Sequence, residues 1–219
     1  MRFLSISLAL ILISVSQTGF SQEYLYGISF EHSKYPYSQW KPDVIAMANT
    51  CSNVGYMTEE EKKLVFLCNL ARFNGKLFAE TFYQDYFDSN RLKPNDFTTS
   101  LFADLRKSKK MPMLEPQKDL CHVAEEYAVK MGRSGKTGNK SYKSRYAKLN
   151  KLYGGIAENY VSGNSEAIKI VFDMLIDNNS HSKSNRRNIL NKKVNATGLS
   201  IQPHSKHQYN TVMGFAAKK

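Results

Sequence analysis

After residue 58 the apolar positions first repeat with a helical period, and only late in the chain do strand-like runs replace them. The first helix opens on Thr58-Glu59-Glu60-Glu61. This is a capping box, in which the threonine hydroxyl takes the amide three residues on and Glu61 reaches back. Three acids in that turn also suit the positive end of the helix dipole. Leu64, Leu67, Cys68 and Ala71 then fall at i, i+3, i+4 and i+7, one buried stripe. Asn74-Gly75 marks a break, and further helix is expected over residues 78–87 and 97–106. Pro112 and Pro116 bracket a turn. Leu120, Ala124, Tyr127, Ala128 and Met131 give the clearest stripe, with Gly132 as its expected C-terminal stop.

Residues 133–151 are polar and basic and read as a surface loop, closed by Gly154-Gly155. A strand is expected over 156–161, then a helix over 165–176 capped by Asn164, with Ala167, Val171, Met174 and Leu175 facing inward. Two more strands, 196–202 and 208–215, flank a polar turn at 204–207. Helices early and neighbouring strands late predict an α+β domain with a small antiparallel sheet.

Before residue 58 the pattern changes twice. Residues 1–21 carry one charge, Arg2, then an apolar run over 3–15, then small residues at Gly19 and Ser21. That is the order of a secretory signal cut before Gln22, and the run is shorter than the roughly 20 apolar residues of a membrane span. Residues 22–57 show no sustained period, but Tyr24, Tyr26, Phe30, Tyr35, Tyr37 and Trp40 predict an irregular arm packed on the domain. The expected organisation is a signal over 1–21, an aromatic-rich extension over 22–57 and one domain over 58–217, secreted or periplasmic. Without the signal, 198 of the 219 residues remain, enough to bury a core without disulfide staples.

Charge narrows the partners. The chain carries a net +12, and losing Arg2 with the signal leaves +11. Such a balance favours anionic partners such as acidic polysaccharide or lipid surfaces. Nucleic acid would suit the charge, but the secretory signal and the lack of a recognition motif argue against it. Cys51, Cys68 and Cys121 make neither a disulfide framework nor a zinc ribbon. Cys68 and Cys121 sit in apolar helical patterns and read as buried thiols, although one disulfide among the three stays open.

Several chemistries fall away. Ser134-Gly135-Lys136-Thr137 lacks the glycine that a phosphate loop needs five positions before Gly135, where Lys130 stands. There is no Gly-x-Ser-x-Gly elbow and no His-Glu-x-x-His helix. His204 and His207 read as solvated turn residues, and His32 and His122 as structural or exposed ones. Glu158 and Asp177, separated by one helix and followed by His181, are the candidates that remain. Converging on one cleft, two acids and an imidazole could hold a metal or do acid-base work. Equally, Glu158 could pin loop backbone and Asp177 merely end a helix.

Five segments share one order: Asn69-Leu70-Ala71-Arg72; Leu120-x3-Ala124-x2-Tyr127-Ala128; Ala157-Glu158-Asn159; Arg186-x-Asn188-Ile189-Leu190; and Gly198-x4-Pro203-His204 with Phe215-Ala216. Together they resemble a bacterial CAP (SCP-type) domain, of the cysteine-rich secretory, antigen 5 and pathogenesis-related 1 group. The resemblance implies a three-layer α-β-α sandwich with a central cleft. In that family the cleft is typically lined by two histidines and two acids, often around a divalent metal. By position Glu158 matches the first acid and Asp177 the second. Asn185 stands where Gly-His-Arg-x-Asn-Ile-Leu has its histidine, and Asn139 after Gly138 takes the place of the other.

An amide oxygen is a far weaker ligand for zinc-like ions than an imidazole. The resemblance thus implies a degenerate site, with no metal and no cofactor, lined by Asn139, Glu158, Asp177, His181 and Asn185. The expected function is a secreted, non-catalytic module that binds a ligand or an anionic surface, lipid or polysaccharide. Lys136, Lys140, Lys143 and Arg145 from one loop and Lys183, Arg186 and Arg187 from another would form its positive rim. The alternative is a peptidase-like hydrolase with Glu158 as base and His181 as its partner.

Overall fold

The acid-rich turn after Thr58 does more than start a helix. Thr58 Oγ1 accepts from the Glu61 amide and Glu61 Oε2 accepts from the Thr58 amide at 2.8 Å, so the capping box forms and α1 (Pro42–Ala48) is followed by α2 (Glu59–Phe73). The second Glu61 oxygen accepts from the Ile201 amide at 2.8 Å, and Glu60 accepts from the Ala167 amide at 2.8 Å. One helical turn therefore fixes two distant segments. This computed structural model describes residues 36–178 and 180–219, plus the backbone of a two-residue antiparallel pair, β1 (Tyr24–Leu25) and β2 (Ile28–Ser29). The expected signal, His32 and much of the aromatic arm lie outside the described residues.

The rest follows in order: α3 (Gly75–Phe78), a π-helical turn (Ala79–Tyr83), α4 (Gln84–Ser89), α5 (Asp96–Lys107), β3 (Glu115–Pro116), α6 (Lys118–Ser134), α7 (Tyr142–Arg145), β4 (Tyr153–Ser162), α8 (Ala167–Ile176), α9 (Ser184–Ile189), β5 (Ala196–His204) and β6 (Gln208–Lys218). The sheet order is β3-β5-β6-β4. The β5–β6 and β4–β6 pairs are antiparallel, but β3 pairs parallel with β5, so the sheet is mixed rather than antiparallel throughout. A connection through α6 permits that parallel edge, as crossovers do. With α6 on one face and α2, α8 and α9 on the other, the architecture is an α-β-α sandwich. The main core lies between the second face and its helices, and includes Leu64, Phe66, Phe172, Leu199, Met213 and Phe215.

Three local expectations need correction. α6 runs through Gly132 and stops at Gly135, whose φ of 65° is the left-handed conformation that ends a helix cheaply. Gly132 is there for proximity: a Cβ would sit 2.1 Å from the Pro203 carbonyl oxygen. Asn164 does not cap α8. Its amide donates to Asp173 Oδ2 at 3.0 Å, and Glu60 does the capping from another helix. The arm is partly helical, and Tyr37 and Trp40 join the main core.

The Asn69-Leu70-Ala71-Arg72 segment turns out to be structural. Arg72 is fully buried, and its guanidinium donates to the carbonyls of Pro112, Ile189, Asn191 and Val194 at 2.6 to 3.0 Å. Burial lowers its pKa to about 10, still cationic at neutral pH. Asn69 bridges Ala48 and Leu114 in the same manner.

Candidate functional site

The site is organised by β4, an edge strand of the sheet. Successive side chains on a strand point to opposite faces. Glu158 pairs across the ladder with Gly214, and Asn159 with Met213. Glu158 accordingly meets Arg145 and Tyr146 on the α6 side. Asn159 meets Met174 and Asn185 on the α8–α9 side.

On the α6 side Glu158 is 3% exposed as a residue, with its side chain fully buried, and is paired through Oε1 with the Arg145 guanidinium. Arg145 also donates to the Lys140 carbonyl and lies 3.4 Å from the centre of the Tyr127 ring. The cation is therefore sandwiched between an aromatic face and a carboxylate. Tyr146 is the second buried neighbour of this carboxylate: its hydroxyl favours the charged form of Glu158 as Arg145 does, and that charge in turn disfavours the phenolate. Gly214 leaves the room for this, since a Cβ there would come within 2.6 Å of that hydroxyl. Burial pushes Glu158 up to about 7, against the opposing pull of Arg145 and Tyr146. Desolvation, reinforced by the Glu158 charge, drives the Tyr146 phenol upward.

The α8–α9 side is built from neutral donors. Asp177 ends α8 in the left-handed conformation, φ 52°, which aspartate tolerates better than most residues. One carboxylate oxygen accepts from the Asn185 amide nitrogen at 2.8 Å and the other from Asn185 Nδ2 at 3.0 Å. Burial still raises its pKa, against these hydrogen bonds and the Arg186 charge. Asn159 Nδ2 donates to the Asn185 carbonyl at 3.0 Å, and Asn188 Nδ2 donates to Asn159 Oδ1 at 2.8 Å. The asparagines of two sequence segments thus tie β4 to α9.

Of the expected cleft residues, the structure joins Asp177 to Asn185, and Asn139 to the Glu158 backbone carbonyl at 2.8 Å. It does not bring the two carboxylates together, because they occupy opposite faces of β4. His181 is exposed, with its ring 6.4 Å from that of Phe97, and no hydrogen bond or ion pair links it to Glu158. The expected pairing of Glu158 with His181 is therefore corrected: the bend after α8 carries the imidazole toward α5. A cleft of about 580 Å³ opens beside β4, lined by Gly138, Tyr160, Ser162, Asn164, Asp173, Asp177, Asn185 and His207, among others. Glu158 is not in that lining.

The single positive rim is also corrected. Lys136, Lys140 and Arg145 line a groove of about 810 Å³ against α6, whereas Arg187 lines another, of about 730 Å³, beside the α5 terminus. Lys143 is exposed on α7. Lys183 bonds the Ser100 hydroxyl at 2.8 Å. Arg186 is 2% exposed and serves the fold, donating to the Leu175, Ile176 and Phe97 carbonyls and pairing with Asp104 at 2.9 Å. His204 is buried rather than solvated, its Nε2 2.9 Å from the Lys136 carbonyl. Sequence reasoning missed Arg145 as the partner of Glu158. Its only signal was thirteen residues' separation from that acid, across a loop whose course no periodicity fixes.

These residues do not fit a metal. Glu158 is occupied by a guanidinium, and both Asp177 oxygens accept hydrogen bonds from Asn185. Among the described residues no group of three or more histidines, cysteines and acids could hold an ion. The described thiols of Cys51, Cys68 and Cys121 are buried and free, and burial pushes each well above the ordinary thiol range.

The family described as the cysteine-rich secretory protein family (CAP) matches residues 99–215. Comparison with curated proteins gave no match. Among solved structures, an outer surface protein of Borrelia burgdorferi is similar at 23% identity and TM-score 0.42, over 50% of this chain and 80% of its own. An extracellular SCP-domain protein of Bacillus anthracis is similar at 18% identity and TM-score 0.41, over 56% of this chain and 39% of its own. Venom allergen-like protein 4 of Schistosoma mansoni is similar at 14% identity and TM-score 0.45, over 74% of this chain and 91% of its own.

Proposed function

Because the chain belongs to the cysteine-rich secretory protein (CAP) family, we propose that it is an extracellular, non-catalytic binding module with a degenerate metal site. The apolar leader over residues 1–21 serves secretion in this reading, and residues 22–57 form an extension of a domain over 58–217. The cleft beside β4 takes a neutral, hydrogen-bonding ligand such as a sugar, through the hydroxyls and amides of Tyr160, Ser162, Asn164 and Asn185.

One observation carries this reading. Each acid at the site is already answered from within the chain, Glu158 by Arg145, Asp177 by Asn185 and Asp173 by Asn164. General acid-base work needs a group within reach of substrate, and nucleophilic work needs an activated nucleophile. The hydrolase alternative would require Arg145 to withdraw and a proton partner other than His181.

The test is a titration of the mature protein with zinc, alongside peptide and glycoside hydrolysis assays on wild type and Glu158→Gln. The expected result is no tight zinc binding and no rate that depends on Glu158. One equivalent of tightly held zinc, or a hydrolytic rate that Glu158→Gln abolishes, overturns the reading.

A further inference from the structure

The groove beside the α5 terminus lies away from the β4 cleft and has its own construction. Its two walls are the segment after α5, Ser108 to Met111, and the segment through the end of α9, Arg187 to Lys193. Both are bolted to the same buried guanidinium. Arg72 donates to Pro112 beside the first wall and to Ile189, Asn191 and Val194 along the second, while its own carbonyl accepts from the Met111 amide at 2.9 Å. The groove is thus preorganised, and little ordering entropy is left for a ligand to cost.

Its charge is one-sided. Lys109, Lys110, Arg187, Lys192 and Lys193 line it, all exposed. None of the five has an acid within ion-pair distance among the described residues; Lys110 sits over the Phe73 ring at 4.2 Å. Among the described residues, Asp104 is the acid in the lining, and it is already paired with Arg186. Five cations held along two fixed walls repel one another unless an anion or counterions lie between them.

We infer that this groove binds a linear anionic polysaccharide, whose carboxylate or sulfate groups meet the lysines while its ring faces lie on the apolar floor of Met111 and Leu190. Other polyanions fit less well. The exposed large apolar side chains among the described residues, Met47, Tyr56, Leu152 and Tyr209, are absent from the groove, so no described side chain beside it is suited to insert into a bilayer. Among the described residues no aromatic ring lines it to stack a base, the usual device of single-strand binding. The inference is independent of the cleft, and holds whether or not the cleft takes a ligand.

The test measures binding of the mature chain to a heparin oligosaccharide, a sulfated probe, across a salt series. A triple variant, Lys109→Gln, Lys192→Gln and Lys193→Gln, is compared with a control, Lys130→Gln, Lys136→Gln and Lys140→Gln, in the groove against α6. These exposed side chains carry no contacts of the fold, and thermal denaturation checks that both variants stay folded. The groove variant should bind about tenfold or more weakly at low salt. Its log affinity against log salt should flatten by roughly two to three, close to one per charge removed. The control should stay near wild type. Equal losses in both variants, or no salt dependence, overturns the proposal. So does tighter binding to oligothymidylate, or to vesicles of equimolar phosphatidylglycerol and phosphatidylcholine, than to the oligosaccharide.

Discussion

Glu158 and Asp177 are both buried carboxylates beside the same edge strand, yet they are kept there by opposite means. Glu158 has a full counter-charge in Arg145, with the Tyr146 hydroxyl beside it. Asp177 has no direct ion pair among the described residues, but each of its oxygens accepts a hydrogen bond from Asn185. The consequence is visible in where they titrate. Burial lifts both, but Glu158 reaches about 7 despite its cation. Desolvation is the largest influence on Glu158, and the opposing pull of Arg145 and Tyr146 does not cancel it. At both acids desolvation outweighs the partners the chain supplies, whether a guanidinium and a phenol or the groups of Asn185 and Arg186.

Removing Arg145 tests this contrast most severely. Its side chain is 18% exposed and that of Glu158 is 0%, so Arg145→Ala strands the carboxylate in low dielectric. Chemical denaturation at about pH 8 should show a loss of about 2–3 kcal/mol. That loss should shrink toward about pH 5, where the acid is protonated and needs no counter-charge. A pH-independent loss would mean that Arg145 acts by packing on Tyr127 alone.

Wild-type stability should itself depend on pH in the same sense. Glu158 titrates at about 7 folded and at its ordinary 4.5 unfolded, so between those values the folded state holds the extra proton. Stability from this group is full below about 4.5 and is lost as pH rises through about 7, by up to about 3 kcal/mol. Glu158→Gln should flatten that descent. The raised pKa values of Asp173 and Asp177 add to it in the same direction.

Asp177→Asn probes the other side and should cost about 1–2 kcal/mol, because one acceptor of the Asn185 pair becomes a donor. Asparagine tolerates the left-handed backbone at this position, so the loss reports the hydrogen bonds and not strain. Smallest of all should be His181→Ala, within about 0.5 kcal/mol of wild type by thermal denaturation.

Much of the architecture could be read from local pattern. The capping box at Thr58 and the stripes of α2, α6 and α8 are periodic features whose physics is short-range. The parallel β3 edge was not readable, since Glu115–Pro116 is too short to carry a period. The stop of α6 was misplaced because two glycines lie three residues apart, and only the fold shows which one needs a left-handed backbone. At the site, chain position correctly suggested that Asn185 is a neighbour of Asp177. It could not show that Glu158 points to the opposite face of β4, because the bulge between Gly154 and Ala157 resets the alternation. Arg186 read as part of a surface rim in the sequence, whereas it is a buried hub that donates to the carbonyls of Leu175, Ile176 and the distant Phe97.

The most direct measurement is a pH titration of the Glu158 side-chain carboxyl carbon by NMR. A carboxylate buried against Arg145 and Tyr146 should show a midpoint at about 7, moving higher still in Arg145→Ala. A midpoint in the ordinary carboxylate range, unmoved by loss of the arginine, would contradict the account. It would mean that Glu158 is open to solvent and free to act on a ligand or an ion.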